Sequence, residues 1–221
     1  SPVMRRGPRV LIHAVSLGEI NATRTLVAEL LARRDDLRVV VTATTAAGYA
    51  RAVELYGGER RAAVARYPLD FSGAVNPFLD AFRPDAAVLM ELELRPNFLR
   101  ACRPRAIPVV LVNGRLTGHS LRRYRLVAPV ARRMFRSLAL LCVQDETYRS
   151  RFLQVGADPA RTLVTGTMKF DTAALTADPA KTESLRTAMR LAPDEPLWVA
   201  GSTGPGEEEI VCRIYRQLLQ S

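Results

Sequence analysis

Six side chains with usable chemistry each follow an apolar run in this 221-residue chain: Glu19, Glu91, Glu93, Asn113, Arg115 and Lys169. A positioned carboxylate can take a proton from a hydroxyl as a bond forms, and a second can orient a group or answer positive charge. A lysine nearby can neutralise a departing phosphate. Glu19 ends Ser16-Leu-Gly-Glu19, directly after the run Arg9-Val-Leu-Ile-His-Ala-Val15. It is therefore expected in the first turn of a helix that leaves a buried strand. Exposed N–H groups at such a turn favour an anion. First-turn acids also serve merely as complements to the helix dipole, and polar residues collect at strand ends in any fold. Spacing alone leaves both readings open.

The elements that must position these groups alternate along the chain. Strands are expected over residues 9–15, 38–44, 62–67, 85–90, 108–112, 138–143 and 161–165. Helices are expected over 20–34, 45–56, 71–82, 120–137 and from Asp145 toward Gly156, with Pro96 in the first turn of another. This alternation predicts an α/β fold, a mainly parallel Rossmann-like sheet with helices on both faces. In such a sheet ligands sit outside the carboxyl ends of the strands, and all six residues above would converge on one rim. A linker helix is expected over 178–190. A new strand over 196–200 then turns through Gly201-Ser-Thr-Gly-Pro-Gly206 into an acidic helix start at Glu207, the first βα unit of a second domain. The expected division is 1–175, a linker 176–194, and 195–221.

Composition bounds the partners. Hydrophobic residues at 48% and charged residues at 24% suit a folded core. No apolar run reaches the length of a membrane span, and residues 1–8 do not form a signal peptide. Net charge is +10, with Lys169 and Lys181 the only lysines. Base composition of a genome can produce that bias; so can an anionic partner such as nucleic acid, lipid head groups or a sugar nucleotide. The six arginines within 120–137 suit a surface facing anionic lipid and equally suit an ordinary solvated face. Cys102, Cys142 and Cys212 lack metal-like spacing and read as reduced thiols, and two histidines are too few for a histidine-rich metal site. The chain lacks the glycine fingerprint of dehydrogenases, a P-loop and a Gly-x-Ser-x-Gly elbow. Basic residues are not interleaved with aromatics, which argues against single-stranded nucleic acid as a partner.

The motifs together resemble the 3-deoxy-D-manno-octulosonic acid (Kdo) transferases. His13-Ala-Val-Ser-Leu-Gly-Glu19 is similar to the family's H-(A/S)-V-S-V-G-E, Thr42-Ala-Thr-Thr-Ala-Ala-Gly48 to T-T-x-T-x-x-G, and Pro68-Leu-Asp70 to P-Y-D. Glu91-Leu-Glu-Leu-Arg-Pro-Asn97 is similar to E-T-E-L-W-P-N, and Asn113-Gly-Arg-Leu-Thr117 to N-A-R-L-S. Gly166 to Asp171 is similar to G-N-x-K-F-D, and Gly201-Ser-Thr-Gly-Pro-Gly-Glu207 to S-T-H-x-G-E. Each is weak alone; their shared order from Arg9 to Glu209 is specific. Arg95, Gly114 and Gly204 depart from the family's Trp, Ala and His.

The resemblance implies a GT-B fold and transfer of Kdo from CMP-Kdo to a lipid A precursor, at the cytoplasmic face of the bacterial inner membrane. It implies Glu19 as general base and Glu91 and Lys169 as transition-state stabilisers, with neither metal nor cofactor. Ser16, Gly18, Asn113 and Arg115 would bind acceptor; Ser202 and Thr203 would bind donor. The chain would be the acceptor half of a longer enzyme and inactive alone, with donor-holding segments beyond Ser221 and a membrane-anchoring stretch before Ser1. Two alternatives stay open: a non-catalytic basic module that binds phosphorylated lipid, and a GT-B transferase using another sugar nucleotide.

Overall fold

The computed structural model describes residues 7–168, 171, 179–192, 195, 197–201 and 203–220. The chain divides into two compact units, Ser1–Ala173 and Ala174–Ser221. The first unit runs β1 (Arg9–Ala14), α1 (Leu17–Arg33), β2 (Arg38–Ala43), α2 (Ala46–Tyr56), β3 (Ala62–Arg66), α3 (Ser72–Phe82), β4 (Ala86–Met90) and α4 (Pro96–Cys102). It continues β5 (Val109–Gly114), α5 (Gly118–Leu126), α6 (Ala128–Arg136), β6 (Leu140–Val143), α7 (Glu146–Gln154) and β7 (Thr162–Val164).

All seven strands are parallel in one sheet of order β3-β2-β1-β4-β5-β6-β7. A parallel sheet is covered on both faces, so its strands read as continuous apolar runs. Leu11 and Ile12, both wholly buried, enter opposite cores. Leu11 joins Leu89, Leu111, Phe98, Phe135 and Phe152 on one side. Ile12 joins Val39, Val41 and the α1 residues Ile20, Val27 and Leu31 on the other. The outcome is the expected Rossmann-like architecture.

Two expectations are corrected. The helix expected over 120–137 is two helices, α5 and α6, separated at Val127 (φ −118°, ψ 36°). Pro129 causes the break, since it lacks an N–H and its ring opposes the carbonyl four residues back. The arginine run masked that signal. In the second unit, Leu197 to Ala200 form no strand. A strand exists only through a hydrogen-bonded neighbour, and the described residues of that unit supply none. That unit holds α8 (Pro179–Met189) and α9 (Glu207–Leu218), the latter opening on Glu207 as expected.

The loop between β1 and α1 is held by its neighbour. Thr45, the N-cap of α2, gives both its N–H (3.2 Å) and its hydroxyl (2.9 Å) to the Val15 carbonyl. Gly48 lets this happen, because a Cβ there would lie 2.8 Å from Val15 O. Helix propensity alone makes Gly48→Ala stabilising by roughly 0.5–1 kcal/mol. Steric overlap with backbone reverses the sign, and we expect a loss of about 1–3 kcal/mol in urea unfolding. A variant more stable than the parent would show that this approach is not tight.

Candidate active site

β1 and β4 are neighbours although five elements lie between them and around them the chain order reverses: β2 and β3 extend one way, β5 to β7 the other. This is a topological switch point, where open α/β sheets form a crevice at the carboxyl ends of the strands. Glu19 follows β1, and Glu91 is the first residue after β4. The strands run in register through His13↔Leu89, and adjacent strands lie about 4.8 Å apart, so the loops carrying both carboxylates leave the sheet side by side.

The β1–α1 turn fixes Glu19. Ser16 is the N-cap of α1, and its hydroxyl accepts from the Glu19 N–H at 3.4 Å. In return the Glu19 carboxylate accepts from the Ser16 hydroxyl (3.0 Å, Oε1) and from the Val15 N–H (3.0 Å, Oε2). This is a capping box, S-x-x-E, closed one residue further back than usual. Glu19 is half-buried, and among the described residues no arginine or lysine pairs with it. Each oxygen has a second lone pair beyond these bonds, so the carboxylate is oriented and still able to accept. Gly18 beside it is exposed, and a Cβ there would meet no atom within 4 Å. The protein itself does not require glycine at that position.

At the end of β4 the backbone is strained. Glu91 has φ +53°, while its N–H donates to Val112 O at 2.9 Å. At the end of β5, Asn113 has φ +54°. Left-handed residues other than glycine are uncommon and gather at functional sites. Asn113 is buried; its Oδ1 accepts from Gln144 Nε2 (3.1 Å) and from the Met168 N–H (3.2 Å), and its Nδ2 has no partner. The carbonyl end of this amide is thus committed inside the protein, tying the 165–168 loop to the rim. Arg115 is exposed and donates to the Tyr148 hydroxyl at 3.2 Å.

The crevice contains groups not assigned a role from sequence. Glu93, half-buried, pairs with Arg95 at 3.2 Å. Burial raises its pKa, Arg95 opposes the rise, and the charge of Glu19 adds to it, so the two glutamates are electrostatic neighbours. Asp70 caps α4 from a distant loop, accepting from the Asn97 (3.2 Å) and Phe98 (2.9 Å) N–H groups, which accounts for the P-L-D motif. His13, wholly buried, stacks on Tyr67 with ring centroids 3.7 Å apart and planes at 18°. Its Nδ1 meets Thr42 Oγ1 at 3.1 Å, while its Nε2, the Tyr67 hydroxyl and Arg95 Nε are buried without partners. A histidine inside an apolar strand was the available signal.

Glu19, Glu91, Glu93, Asn113 and Arg115 therefore leave consecutive strands β1, β4 and β5 at one rim. Lys169 and Ser202 lie outside the described residues. Thr203 belongs to the second unit, where its hydroxyl donates to Glu208 Oε1 at 2.7 Å and holds that carboxyl below its usual range. Among the described residues no three His, Cys, Asp or Glu side chains converge as metal ligands, and no helix is long and apolar enough to cross a membrane.

A doubly wound parallel sheet with polar loops at its switch point is the Rossmann-like half of a GT-B architecture. Solved structures share it. A UDP-GlcNAc 2-epimerase from Neisseria meningitidis bound to UDP-GlcNAc superposes with TM-score 0.60 at 14% identity, over 84% of this chain and 55% of that one. Anabaena HepE in complex with UDP and glucose gives 0.53 at 15% identity, over 83% and 50%. These likenesses concern the fold alone. Residues 2–172 match the family described as 3-Deoxy-D-manno-octulosonic-acid transferase (kdotransferase), and the chain belongs to that family. It is 32% identical to the 3-deoxy-D-manno-octulosonic acid transferase of Haemophilus influenzae over 95% of this chain and 48% of that protein. Against the transferase of the same name from Bordetella pertussis it is 38% identical over 74% of this chain and 38% of that protein. The chain spans about half the length, or less, of these relatives.

Burial lowers the His13 pKa from 6.5 to about 3, with the Arg95 charge adding to the effect and the Thr42 backbone bond opposing it. Below pH 6.5 the unfolded chain binds a proton that the folded chain refuses until about pH 3, so this group costs stability as pH falls through that window. From pH 7 to pH 5 the loss should be about 2 kcal/mol, absent in His13→Gln. Parallel pH profiles of urea stability for the two proteins would contradict a buried neutral imidazole.

Proposed function

We propose that this chain is the acceptor-binding half of an enzyme that moves Kdo from CMP-Kdo to a lipid A precursor at the cytoplasmic face of the bacterial inner membrane. The observation that carries the reading is the oriented Glu19 carboxylate at the switch-point crevice, in a chain of the Kdo transferase family. A sugar hydroxyl is a poor nucleophile. As its oxygen bonds to the anomeric carbon of Kdo, Glu19 takes its proton, and the bond to the CMP phosphate breaks with its electron pair leaving on CMP. Positive charge grows on the sugar and negative charge on the leaving group. Glu91 answers the first and Lys169 the second. Neither role asks for a metal.

Acceptor contacts are assigned to Ser16, Gly18, Arg115 and Asn113. For Asn113 the contact falls to Nδ2, since its Oδ1 is engaged. The open space over Gly18 suits close approach of a ligand to backbone. Donor contacts fall to Ser202 and Thr203, in a donor-binding domain that begins near residue 195 within the second unit, Ala174–Ser221. The uninterrupted arginines of α5 and α6 suit an anionic membrane surface. Nucleic acid is not assigned as a partner.

The capping box gives Glu19 a purely structural alternative, and one variant separates the two. Glu19→Gln in the full-length enzyme keeps an oxygen to accept the Val15 N–H but cannot take a proton. We expect a fall in Kdo transfer of about 10²- to 10⁴-fold with the thermal midpoint little changed. Turnover near that of the parent would leave Glu19 as a helix cap only.

A further inference from the structure

The residues from Tyr67 to Asp70, just after β3, tie three parts of the rim together. Tyr67 gives its N–H to the carbonyl of Ala43, the last residue of β2, at 3.1 Å. Its ring stacks on His13 of β1 and lies 5.4 Å, centroid to centroid, from Phe98 of α4. The Asp70 carboxylate accepts from the N–H groups of Asn97 (3.2 Å) and Phe98 (2.9 Å), and the Asp70 carbonyl accepts from Asn97 Nδ2 at 2.6 Å. In the order β3-β2-β1-β4, this run crosses the carboxyl ends of β2 and β1 and ends on the helix that follows β4. It is a strap, and Asp70 is its fastened end. α4 has no cap of its own: Arg95, at its N-cap, makes no capping side-chain bond, and Pro96 brings no N–H. The first N–H groups the helix has to satisfy are the two that Asp70 takes.

Residues 91–95 join β4 to α4 and carry Glu91, Glu93 and Arg95. The near end of this loop is fixed by the Glu91 N–H on Val112 O (2.9 Å) and the Glu93 N–H on Met90 O (3.2 Å). Leu94, buried in the core, adds an apolar hold that has no direction of its own. Asp70 fixes the far end with hydrogen bonds, which do have direction. Glu91 holds φ +53°, a conformation that persists only where its surroundings over-determine it. With the far end released, the loop is free to relax toward ordinary backbone, and the carboxylates then leave the sheet in other directions. Both carboxylate loops are also referred to the same place. Thr45, two residues beyond β2, holds the Glu19 turn through Val15 O, and Ala43 holds the strap. We propose that Asp70 is a positioning residue for the reaction at the rim: through α4 it keeps Glu91 in its left-handed backbone and so sets where the Glu91 and Glu93 carboxylates stand relative to Glu19. It touches no reacting atom. The inference rests on the reading of the crevice as the site of Kdo transfer.

The test is steady-state Kdo transfer by the full-length enzyme. Asp70→Ala removes the α4 cap. Asp158→Ala removes a comparable bond, from the Ala160 N–H (2.9 Å), in the turn before β7 at the amino end of the sheet. Displacing a catalytic group by about 1 Å costs about 10²-fold, so we expect kcat of Asp70→Ala to fall about 10- to 100-fold with KM changed less than about threefold, while Asp158→Ala keeps the parent kcat. Asp70→Asn, which retains an oxygen for one of the two N–H groups, should recover most of the loss. In a Glu91→Gln background, Asp70→Ala should cost less than about threefold more, because it acts through the same carboxylate. Should Asp70→Ala fail to fold, Asp70→Glu, which keeps the charge and displaces the carboxylate by one methylene, takes its place with the same expectations. A parent-like kcat in a variant whose thermal midpoint falls as that of Asp158→Ala does would reduce Asp70 to a structural cap. Full additivity with Glu91→Gln would equally overturn the inference. If Glu19→Gln turns over like the parent, the crevice reading falls and this inference falls with it. If Glu19→Gln is inactive and Asp70→Ala is unimpaired, this inference alone fails.

Discussion

The backbone of one residue, Val15, governs the rim. The Val15 carbonyl accepts from the Thr45 N–H and hydroxyl, while the Val15 N–H donates to the Glu19 carboxylate. The first pair joins the β1–α1 turn to the start of α2. The second folds the glutamate side chain back over its own turn. The first depends on the bareness of Gly48, where a Cβ would lie 2.8 Å from the Val15 carbonyl oxygen. A carboxylate on a free loop would spend most of its time in unproductive rotamers. Here its orientation follows from a backbone geometry that the neighbouring helix enforces, so little rotamer freedom is left to lose when a ligand binds.

The rest of the rim carries strain instead of clamps. Glu91 and Asn113, at the ends of adjacent strands, both adopt left-handed backbone, at a cost of about 1–3 kcal/mol each. Interior bonds compensate: the Glu91 N–H continues the ladder to Val112, and the Asn113 amide gathers Gln144 and Met168. The strained turns therefore stay fixed while their side chains leave the sheet at angles that a regular strand exit would not give. His13 of β1 and Tyr67, just after β3, stack with the imidazole held neutral by burial.

Much of this was legible because it follows from short-range pattern. Continuous apolar runs ending at Val15, Met90 and Val112 marked buried parallel strands, and Thr45 and Asp145 marked helix starts; both cap as their types predict. What was hidden depends on partners far apart in sequence. Asp70 reads as a turn residue until α4 is seen sitting on it, 27 residues later. Asn113 looks like a ligand-facing amide until Met168 claims its oxygen, 55 residues on. The capping box was visible in Ser16-Leu-Gly-Glu19, yet its second meaning for Glu19 shows only in the hydrogen bonds. The helix over 120–137 misled for the opposite reason: a regular run of arginines outweighed one proline, although the proline governs the backbone.

The two ends of the sheet differ in which charged groups are left without an opposite partner. The glutamates gather at the carboxyl ends of β1 and β4, where Glu93 already senses Glu19 and a further anion would be repelled unless a cation accompanied it. Arginines crowd α6 and the turn after α4 at the other end, where Asp80 is engaged by Arg105 and Asp85 by the Arg9 N–H. Screening confines each field to about 10 Å at 0.1 M salt, shorter than the distance between the two ends. The ends therefore act independently on what approaches them. An anionic surface is drawn to the arginine end and has no electrostatic reason to settle over the glutamates. An anion that enters the rim is drawn toward the exposed Arg115 rather than toward the carboxylates.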